Sequence, residues 1–502
     1  MSEMRRFHPL AIVIYFINYL RTWFFLIAIS FFYFQKNIGL FWLGLFALMV
    51  LLLGIAALKY LTSKYEISEA QLIFSAGLFN KTNTTIPYDR IQTLKTNQWV
   101  YLRPFHLVDI LIETASSGPV EPEITLTAVP EKLVELIERY RVSAPNGNLL
   151  QPEKQLTNQI VDQQAAQLGD LEANQPKLTK SEVTHRFQVS LAQILLFGGT
   201  DLHVFIAGMA VLGTLGQYIP KTWENFADQQ MRVIFELGWL VVTVFGVFVI
   251  LLLAVISIGR TLIQYFHFTV QRVGKQLTIE KGLLNRHIQK VPLDKIQGIV
   301  ISQQLLRHVF KLSSVQLILA GGQGDEDANS SQIYLLPIIK DQELDSTLTK
   351  ILPEWNYKIP TSRTLKQASP WYFMRWSLVF GAALTVIAAF FNGYAALGVG
   401  ILAAFFVFTS YLDYRSQAYV IQSPSRIWLQ NVVFLTKRQF FIERPKIQAL
   451  TASTTINLQK KHISHIKLKV KEGIGDLTVK LRYLDESEIE KVRDYYLQGR
   501  EF

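Results

Sequence analysis

One unit recurs three times along this chain, and this repeat constrains the fold more than any other feature. Each copy opens with a membrane-length apolar hairpin, continues with short alternating segments typical of strands, and closes with one amphipathic helix. A short motif marks the copies, at Gly77 with Ile86–Gln92, at Gly282 with Val291–Gln297, and without the glycine at Ile442–Gln448. A repeat of this length indicates one supersecondary unit used three times, so we expect three similar domains.

The apolar segments come in pairs, and each pair predicts a helical hairpin that crosses a bilayer. A crossing helix needs about 20 predominantly apolar residues. The sequence predicts six spans, which are Leu10–Phe34 with Ile38–Leu58, His203–Ile219 with Leu237–Ile258, and Trp376–Phe391 with Tyr394–Leu412. Lys and Arg lie mainly at the helix ends that join the strand-rich segments. The positive-inside rule therefore places all three domains in the cytoplasm.

Four polar residues lie within or beside these runs, where an ionised group is costly. They are Arg21, Asp201, His203 and Arg375. In the first interpretation, Arg21 and Asp201 lie at headgroup depth because a short interfacial helix precedes the crossing. In the second, Asp201 forms a buried pair with Arg21 or Arg375 and joins two hairpins. In the third, these residues line a transport pathway.

The segment after each hairpin changes to a period of two residues, which is typical of short antiparallel strands. Gly77 and Gly282 stand between two such strands, where a positive φ favours glycine. A helix closes each copy, and its apolar face is Leu133, Leu136, Ile137 and Tyr140 in the first, Leu344, Leu348, Ile351 and Leu352 in the second, and Ile489, Val492 and Tyr496 in the third. The predicted fold class is an α+β membrane protein with three transmembrane hairpins. Each hairpin is followed by a small β-barrel or curved sheet that the helix closes.

The changes of pattern also predict the domain boundaries. The hairpins occupy residues 1–60, 186–260 and 359–413, and the strand-rich domains occupy residues 61–140, 261–358 and 414–502. Residues 141–185 form a polar linker.

Composition excludes several function classes. The 502 residues include no cysteine, so disulfides, thiol catalysis and cysteine-ligated metals are excluded. Lys and Arg outnumber Asp and Glu 16 to 9 in residues 414–502, whereas acidic residues prevail 10 to 7 in residues 61–140. A basic domain tethered to a membrane more naturally faces anionic lipid than nucleic acid, so we expect no nucleic-acid partner.

The motif, placed between a hairpin and a closing helix, resembles that of the bacterial pleckstrin-homology (PH) domains known as membrane-flanked domains. Its elements are a glycine, a proline ten residues later, and an Arg/Lys-Ile-Gln that follows. The first two copies carry all of them, whereas in the third Glu443 replaces the proline and Asn431 lies near a turn without glycine. The resemblance implies a pleckstrin-like fold, a place in the bacterial plasma membrane, and no established catalytic activity or cofactor.

The cations of the motif are Arg90, Lys295 and Lys446. A purely structural role explains the motif, because proline fixes a strand end, isoleucine enters the core and glutamine bonds to the backbone. The alternative is that the three cations contact a ligand.

The densest basic run lies in the third domain, where Lys460 and Lys461 precede an alternating segment. The alternation predicts a strand with Lys467, Lys469 and Lys471 on one face. This face is either a solvated surface or a contact with anionic headgroups.

Two segments resemble metal or phosphate sites without meeting their requirements. His462 and His465 are three residues apart, but a strand puts them on opposite faces. Gly321–Asp327 is glycine-rich and acidic, yet it lacks the Lys-Ser/Thr of a phosphate loop and the glutamate of a calcium loop. We therefore expect no metal and no cofactor.

These observations favour a non-enzymatic membrane scaffold. Its cytoplasmic domains would bind anionic headgroups, a membrane protein partner or another copy of the chain, and multivalency would make weak contacts effective. Envelope integrity is a role that suits such a protein. The alternative is a transporter or lipid-handling protein built on the six-helix bundle, in which Asp201→Asn would abolish function without unfolding the protein.

Overall fold

The computed structural model describes residues 4–34, 37–77, 81–114, 123–143, 183–201, 208, 239–319, 333–355, 359–360, 368–391, 393–433, 435–472 and 475–498. The helices are α1 (Ala11–Tyr33), α2 (Ile38–Thr62), α3 (Lys132–Ser143), α4 (Leu191–Gly199), α5 (Trp239–Tyr265), α6 (Leu305–Val309), α7 (Asp341–Ile351), α8 (Trp371–Phe391), α9 (Gly393–Ser416), α10 (Ile456–Gln459) and α11 (Glu486–Leu497). The strands are β1 (Arg5–Arg6), β2 (Lys64–Ile67), β3 (Gln71–Ala76), β4 (Thr82–Pro87), β5 (Ile91–Trp99), β6 (Leu107–Thr114), β7 (Ile124–Pro130), β8 (Val183–Gln188), β9 (Thr269–Val273), β10 (Gln276–Lys281), β11 (Asn285–Pro292), β12 (Ile296–Gln304), β13 (Leu312–Leu319), β14 (Ile333–Lys340), β15 (Ala418–Ser423), β16 (Arg426–Val433), β17 (Thr436–Glu443), β18 (Ile447–Ser453), β19 (Ile463–Glu472) and β20 (Gly475–Asp485).

Five of the described helices are long and apolar enough to cross a membrane. The candidate spans are Ala11–Phe31, Ile38–Thr62, Val247–Tyr265, Trp371–Phe391 and Ala396–Ser416. At most 17% of the most apolar 18-residue stretch of each span is buried within the protein, so the apolar side chains face outwards, as lipid-exposed helices require. The structure thus offers five spans where we expected six, because residue 208 is the one described position of the expected span His203–Ile219.

A corner built by the repeated motif connects two sheets in each repeat. In the first repeat β4 ends at Pro87, Tyr88–Arg90 form a 3-10 turn, and β5 begins at Ile91. The same succession occurs at Pro292, Leu293–Lys295 and Ile296, and at Glu443, Arg444–Lys446 and Ile447. The isoleucine that starts the new strand is at most 6% exposed in all three repeats, so it anchors the corner in the core.

The glutamine of the motif is the extra residue of a β-bulge. The pairing register shifts between Ile91 and Thr93, between Ile296 and Gly298, and between Ile447 and Ala449. The side-chain amide of Gln297 turns back to the carbonyl of Lys295, at 3.4 Å. A bulge bends a strand, so the turn and the bulge together direct the chain from one sheet into the next.

The chain divides into two compact units, and the first comprises Met1–Thr184, Gln271–Thr278 and Asn285–Val291. Its strands form the sheet β1-β2-β3-β4 and a second sheet in which β11 extends the order β7-β6-β5. β5 of the first repeat therefore pairs antiparallel with β11 of the second repeat, with Lys290 opposite Leu94.

The second unit comprises His185–Val270, Ile279–Leu284 and Pro292–Phe502. It contains the sheets β14-β13-β12-β17-β16-β15 and β18-β19-β20. Here β12 of the second repeat pairs antiparallel with β17 of the third repeat. Gly298 permits this approach, since a Cβ there would lie 2.9 Å from the carbonyl oxygen of Phe441.

We expected a small barrel or a curved sheet in each repeat, and the barrel is ruled out for the described strands, because none of their sheets closes on itself. A barrel needs every strand edge to find a partner around a closed ring. In the first two repeats the edge of the strand after the corner pairs with the following repeat instead. Each repeat is consequently a pair of open sheets.

The closing helices lie where the sequence predicts them. The buried apolar residues of these helices include Leu133, Ile137, Leu344, Leu348, Ile351, Ile489 and Val492. In α11 the buried aromatic residue is Tyr495, 2% exposed, rather than Tyr496. Tyr496 lies at the margin of the buried face, and its hydroxyl donates to the carbonyl of Gln448 at 3.1 Å.

A positive φ is present in the turn of every repeat, although the third repeat has no glycine there. Gly77 and Gly282 have φ of 117° and 108°. In the third repeat Leu435, with φ of 63°, takes this role between β16 and β17. Asn431, near which we expected the turn, lies within β16 opposite Arg438.

Candidate functional site

Each repeat has a loop next to the base of its hairpin, and we call the segments 100–106, 305–311 and 456–462 the juxtamembrane loops. Each contains a short helix, which is the 3-10 helix Arg103–Phe105, α6 or α10. The loops end in left-handed residues, which are His106, Lys311 and His462 with φ of 53°, 54° and 55°. The carbonyl of each end residue accepts a hydrogen bond from a backbone N–H at the start of the closing helix, contributed by Glu131, Asp341 or Glu486. The last residue of each loop is therefore fixed to the start of the closing helix.

All three loops contact residues at the beginning of a hairpin. The contacts are Phe105 with His8 (6.1 Å between ring centres), the Arg307 guanidinium with the ring of Phe197 (4.4 Å), and Lys461 Nζ with the ring of Tyr372 (5.5 Å). His8 lies three residues before the start of α1, and Tyr372 is the second residue of α8. Both helices contain candidate spans. The first and third loops thus contact residues at or near the start of candidate spans.

The second and third loops differ in the side chains that they expose. Val309 and Phe310 of the second loop are 69% and 59% exposed. At the equivalent places of the third loop, Lys460 and Lys461 are exposed. Apolar side chains insert at headgroup depth, whereas lysines attract anionic lipid.

Lys461 belongs to a cluster of cations and aromatic rings at the base of α8. The Arg375 guanidinium lies 5.1 Å from the ring centre of Tyr372, 5.7 Å from that of Trp376 and 5.9 Å from that of Tyr483. Such cation–π contacts stabilise a cation by about 0.5–2 kcal/mol. In the described part of the chain, Arg375 Nε is buried without a hydrogen-bond partner. The cluster therefore holds positive charge where a helix enters the membrane.

The first turns of α8 also carry two exposed tryptophans. Trp371 and Trp376 are both 55% exposed on α8. Indole rings are enriched at the membrane–water interface because they combine an apolar body with one N–H donor. Exposed indole rings in the first turns of a candidate span are therefore typical of a helix end near the headgroups.

Side-chain contacts hold the second helix of this hairpin, α9, against the strands of the third repeat. Asp413 of α9 is 4% exposed, pairs with Arg482, and accepts a hydrogen bond from the N–H of Val432 at 3.3 Å. Gln417 exchanges two hydrogen bonds of 2.7 Å with the backbone of Arg482. Our sequence analysis overlooked Asp413 and Arg482. The available signal was an aspartate directly after the predicted span Tyr394–Leu412.

His465 lies under the same cluster and is held neutral. Its Nδ1 accepts a hydrogen bond from the N–H of Tyr483 at 3.0 Å, which requires an unprotonated nitrogen. Burial, reinforced by the charges of Arg482, Lys467 and Arg375, lowers the pKa of His465. His462 instead lies 2.8 Å from Glu486, so the two histidines have different partners.

The basic run forms the strand that its alternation predicts. Lys467, Lys469 and Lys471 alternate along β19 with Ile466, Leu468 and Val470, which are all fully buried. Lys467 lies directly opposite Lys480 of β20. Like charges directly opposite each other are unfavourable, so this face would gain from an anion laid over it.

The motif cations lie at the corners of the repeats. Arg90 is exposed at the end of its 3-10 turn. Lys295 and Lys446 both approach Asp294, the first at 3.7 Å from its carboxylate and the second at 3.4 Å from its carbonyl oxygen. Lys446 therefore ties the corner of the third repeat to that of the second.

A buried arginine joins the second repeat to its hairpin, and our sequence analysis missed it. Arg307 is 2% exposed and donates to Thr200 Oγ1 (3.2 Å), to Ser314 Oγ (2.8 Å) and to the carbonyl of Phe197 (3.3 Å). Thr200 and Phe197 form the C-terminal end of α4, where the helix dipole favours a cation.

The other repeats show how unusual this arginine is. The residue four places before the left-handed residue is Arg307 in the second repeat, and it is Leu102 and Leu458 in the others, at 0% and 2% exposure. Alignment of the three copies would have revealed a charge at a core position.

Asp201 lies near this arginine, two residues after the end of α4. Gln304 Nε2 donates to Asp201 Oδ1 at 3.5 Å. Burial lowers the pKa of Arg307, and the nearby charge of Asp201 partly opposes this shift. α4 packs closely on α5, because a Cβ at Gly198 would lie 2.9 Å from Ile258 Cα. His203 lies outside the described residues.

The first repeat buries a carboxyl group at the position equivalent to Ser314. Asp109 of β6 is 7% exposed and accepts a hydrogen bond from the N–H of Ala128 at 2.8 Å. Burial raises the pKa of Asp109 to about 6, although the hydrogen bond opposes the shift. Tyr15 of α1 lies close to Asp109, and Lys59 of α2 lies 4.7 Å from the ring centre of Tyr15. Both helices of the first hairpin therefore meet this site.

Arg21 lies on the exposed surface of α1. The helix is unbroken through Arg21, whereas α4 ends just before Asp201. The two residues thus differ in their surroundings despite their similar sequence positions.

Comparison with known proteins agrees with this arrangement of repeats. A family model described as bacterial PH domain matches residues 13–141, 205–350 and 379–500. The chain is similar to the UPF0699 transmembrane protein YdbT of Bacillus subtilis (strain 168), with 26% identity over 495 residues that cover 96% of each protein. No solved structure matches the chain.

Proposed function

The chain belongs to the bacterial PH domain family, and on that premise we propose that it is a non-enzymatic membrane scaffold whose third repeat binds anionic lipid headgroups. Its place in a membrane follows from the five candidate spans and the transmembrane relative. The proposal adds that the protein is multi-pass and that its β-domains lie on the cytoplasmic face of the plasma membrane.

The observation that carries this proposal is the cluster at the base of α8. Lys461 and Arg375 share the ring of Tyr372, and Arg482 pairs with Asp413 beside them. One carboxylate cannot balance three cations, so the cluster has a net positive charge at headgroup depth. Each lysine or arginine near an anionic surface contributes about 1 kcal/mol of attraction.

The cationic face of β19 supports the same interpretation. Lys467 and Lys469 stand on the strand that follows the third juxtamembrane loop. A loop that touches the membrane and a sheet face of the same sign together favour an anionic surface over a single small ligand. The apolar second loop supports insertion of the neighbouring repeat at the same surface.

The orientation rests on the distribution of basic residues. Lys59 lies in the last turn of α2 and Lys64 follows that helix. Arg260 and Arg415 lie near the ends of α5 and α9. Basic residues favour the cytoplasmic side. The inner leaflet carries the anionic lipids that this scaffold would bind.

Fluorescence quenching by brominated lipids tests headgroup binding in the full chain. Gln459→Cys introduces one exposed thiol into a chain without cysteine, and a fluorophore attached there reports on lipids next to the third loop. The labelled protein is reconstituted with either brominated phosphatidylglycerol or brominated phosphatidylcholine at equal fractions. We expect the anionic lipid to quench about twofold more, and the preference to shrink at high salt because the attraction is electrostatic.

The double variant Lys460→Ala/Lys461→Ala is the test, and Glu490→Ala, at an exposed residue of the closing helix, is the charge-changing control. The first should abolish the preference, whereas the second should preserve it. Equal quenching by the two lipids in the unaltered loop would contradict the proposal.

A further inference from the structure

Among the edges of the described sheets, those of β4 and β18 are the counterparts of the edges that join the repeats, and neither has a further strand partner. β11 and β17 end the first sheets of the second and third repeats, and they pair with β5 and β12 of the preceding repeat, respectively. In the first repeat the corresponding strand, β4, ends the order β1-β2-β3-β4 without a further partner. In the third repeat β18 likewise ends the order β18-β19-β20. The chain therefore leaves one strand before a corner, β4, and one strand after a corner, β18, without the partner that their counterparts have.

Both internal junctions use the same register. The residue two places before the motif's proline position pairs with the residue three places after the motif's second isoleucine. The two pairs are Lys290 with Leu94, and Phe441 with Ile299. The register is thus a property of the repeat, and it defines which residues of β4 and β18 would face each other.

The two open edges lack the features that usually prevent strand pairing. Natural edge strands are protected by charges, prolines or disruptive bulges. Residues 82–86 and 449–453 include no Lys, Arg, Asp, Glu or Pro. Pro87 ends β4, but Pro292 likewise ends β11, which nevertheless pairs with β5. The bulge between Ile447 and Ala449 matches those of β5 and β12, which nevertheless pair with the next repeat. β18 therefore keeps the geometry of a strand that receives a partner.

The charges of the terminal repeats are complementary. Residues 61–140 carry 7 Lys and Arg against 10 Asp and Glu, a net charge of −3. Residues 414–502 carry 16 against 9, a net charge of +7. Opposite charges steer two such surfaces together, so the third repeat of one copy attracts the first repeat of another.

We propose that β18 of one copy pairs antiparallel with β4 of a second copy, in the register of the internal junctions. Thr84 would then lie opposite Thr451, and Asn83 opposite Ala452. The interface is head to tail, so copies add one after another in the membrane until a ring closes. This inference rests on the proposed function only in requiring both repeats on one side of the membrane, and it does not need headgroup binding.

Disulfide trapping between two copies tests the pairing, because the chain has no cysteine of its own. One copy carries Thr84→Cys and a first affinity tag, and the other carries Thr451→Cys and a second tag. Directly opposed residues of antiparallel strands lie about 4.5–5.5 Å apart between Cα atoms, within disulfide reach. Mild oxidation of membranes that contain both copies should yield a covalent dimer with both tags.

Ala449→Cys in place of Thr451→Cys is the matched control. It shifts the thiol two residues, about 7 Å along the strand, beyond disulfide reach. We expect at least about fivefold less dimer with this control. If Thr84→Cys impairs folding, Asn83→Cys with Ala452→Cys tests the same register.

Three outcomes would overturn the inference: no dimer from either in-register pair, equal dimer from the control pair, or trapping of Thr451→Cys on a different protein. The lipid experiment is independent of all three. Loss of headgroup preference would leave the trapped dimer unchanged, and absence of the dimer would leave the quenching unchanged.

Discussion

Asp109, Ser314 and His465 occupy one equivalent position, three residues after the left-handed end of each juxtamembrane loop. Asp109 and His465 each accept a hydrogen bond from a backbone N–H, and Ser314 accepts one from Arg307. Every repeat thus places a polar acceptor beneath the loop. The three acceptors differ in the free energy needed to bury them, because burial destabilises a carboxylate far more than a hydroxyl or a neutral imidazole.

Replacing Asp109 by asparagine should remove a pH dependence of stability. The pKa of Asp109 is raised by burial to about 6, so the folded protein binds the proton more tightly than the unfolded chain. The stabilisation by this group is complete below its unfolded pKa and is lost as the pH rises through about 6. At about 1.4 kcal/mol per pKa unit, the loss amounts to about 3 kcal/mol. In detergent, Asp109→Asn should therefore melt at a higher temperature than the unaltered protein at pH 7.5, and the gap should close towards pH 4.

The control is Asp89→Asn, at an exposed residue of the same repeat. Its melting curve should follow that of the unaltered protein at every pH. A constant offset between Asp109→Asn and the unaltered protein from pH 4 to 8 would show that Asp109 does not titrate in this range. His465 acts in the opposite direction, because its lowered pKa makes its stabilisation disappear as the pH falls. The difference between the variant and the unaltered protein cancels that contribution.

At the scale of elements, the corner shows how much the motif predicted. Proline at the strand end and isoleucine in the core follow from elementary propensities, and the structure has both. The glutamine was predicted to bond to the backbone, and Gln297 does so. Its position in a β-bulge was not predictable, because a bulge depends on the register of the neighbouring strand rather than on local composition. The hairpins and closing helices were predictable because a continuous or 3.6-residue apolar period leaves few alternatives.

Gly298→Ala should weaken the junction between β12 and β17. A Cβ at Gly298 would lie 2.9 Å from the carbonyl oxygen of Phe441, and a backbone atom in a paired strand cannot yield as a flexible side chain can. Overpacking of this kind costs about 1–3 kcal/mol. We expect a lower melting temperature and faster amide exchange in β17, measured by hydrogen–deuterium exchange with mass spectrometry.

Gly475→Ala is the matched substitution, because its Cβ would meet nothing closer than 3.9 Å. Amide exchange in β12 and β17 of this variant should match that of the unaltered protein. Equal protection of β17 in Gly298→Ala and Gly475→Ala would show that the junction tolerates the extra methyl group.

At the scale of the whole molecule, the repeat predicted the order of hairpin, strands and helix, but not the sheets shared between repeats. Pairing at a sheet edge uses backbone N–H and C=O groups that every residue except proline carries, so it leaves no distinct side-chain pattern. The same reason explains why β4 and β18 became visible as open edges only in the structure. Arg307, in contrast, left a signal that a comparison of the three copies would have found.

The topology of the membrane helices decides whether both proposals are physically allowed. Single cysteines at Asn37 and Phe391, at or beside the turns of the first and third hairpins, should react with a membrane-impermeant maleimide in intact cells. Asn37 is exposed, and Phe391 is 84% exposed. Thr84→Cys and Thr451→Cys should react only after the cells are opened, because the positive-inside rule places both β-domains in the cytoplasm.

Two patterns would contradict this topology. If all four cysteines reacted under the same condition, the hairpins would not cross the membrane. If Thr84→Cys and Thr451→Cys reacted from opposite sides, β4 and β18 of neighbouring copies would be separated by a hydrocarbon layer about 30 Å thick. No strand edge can pair across that layer, because its unpaired N–H and C=O groups would be buried in lipid. Labelling of Thr84→Cys and Thr451→Cys from one side is thus a necessary condition for association through these edges, and it is independent of the disulfide experiment.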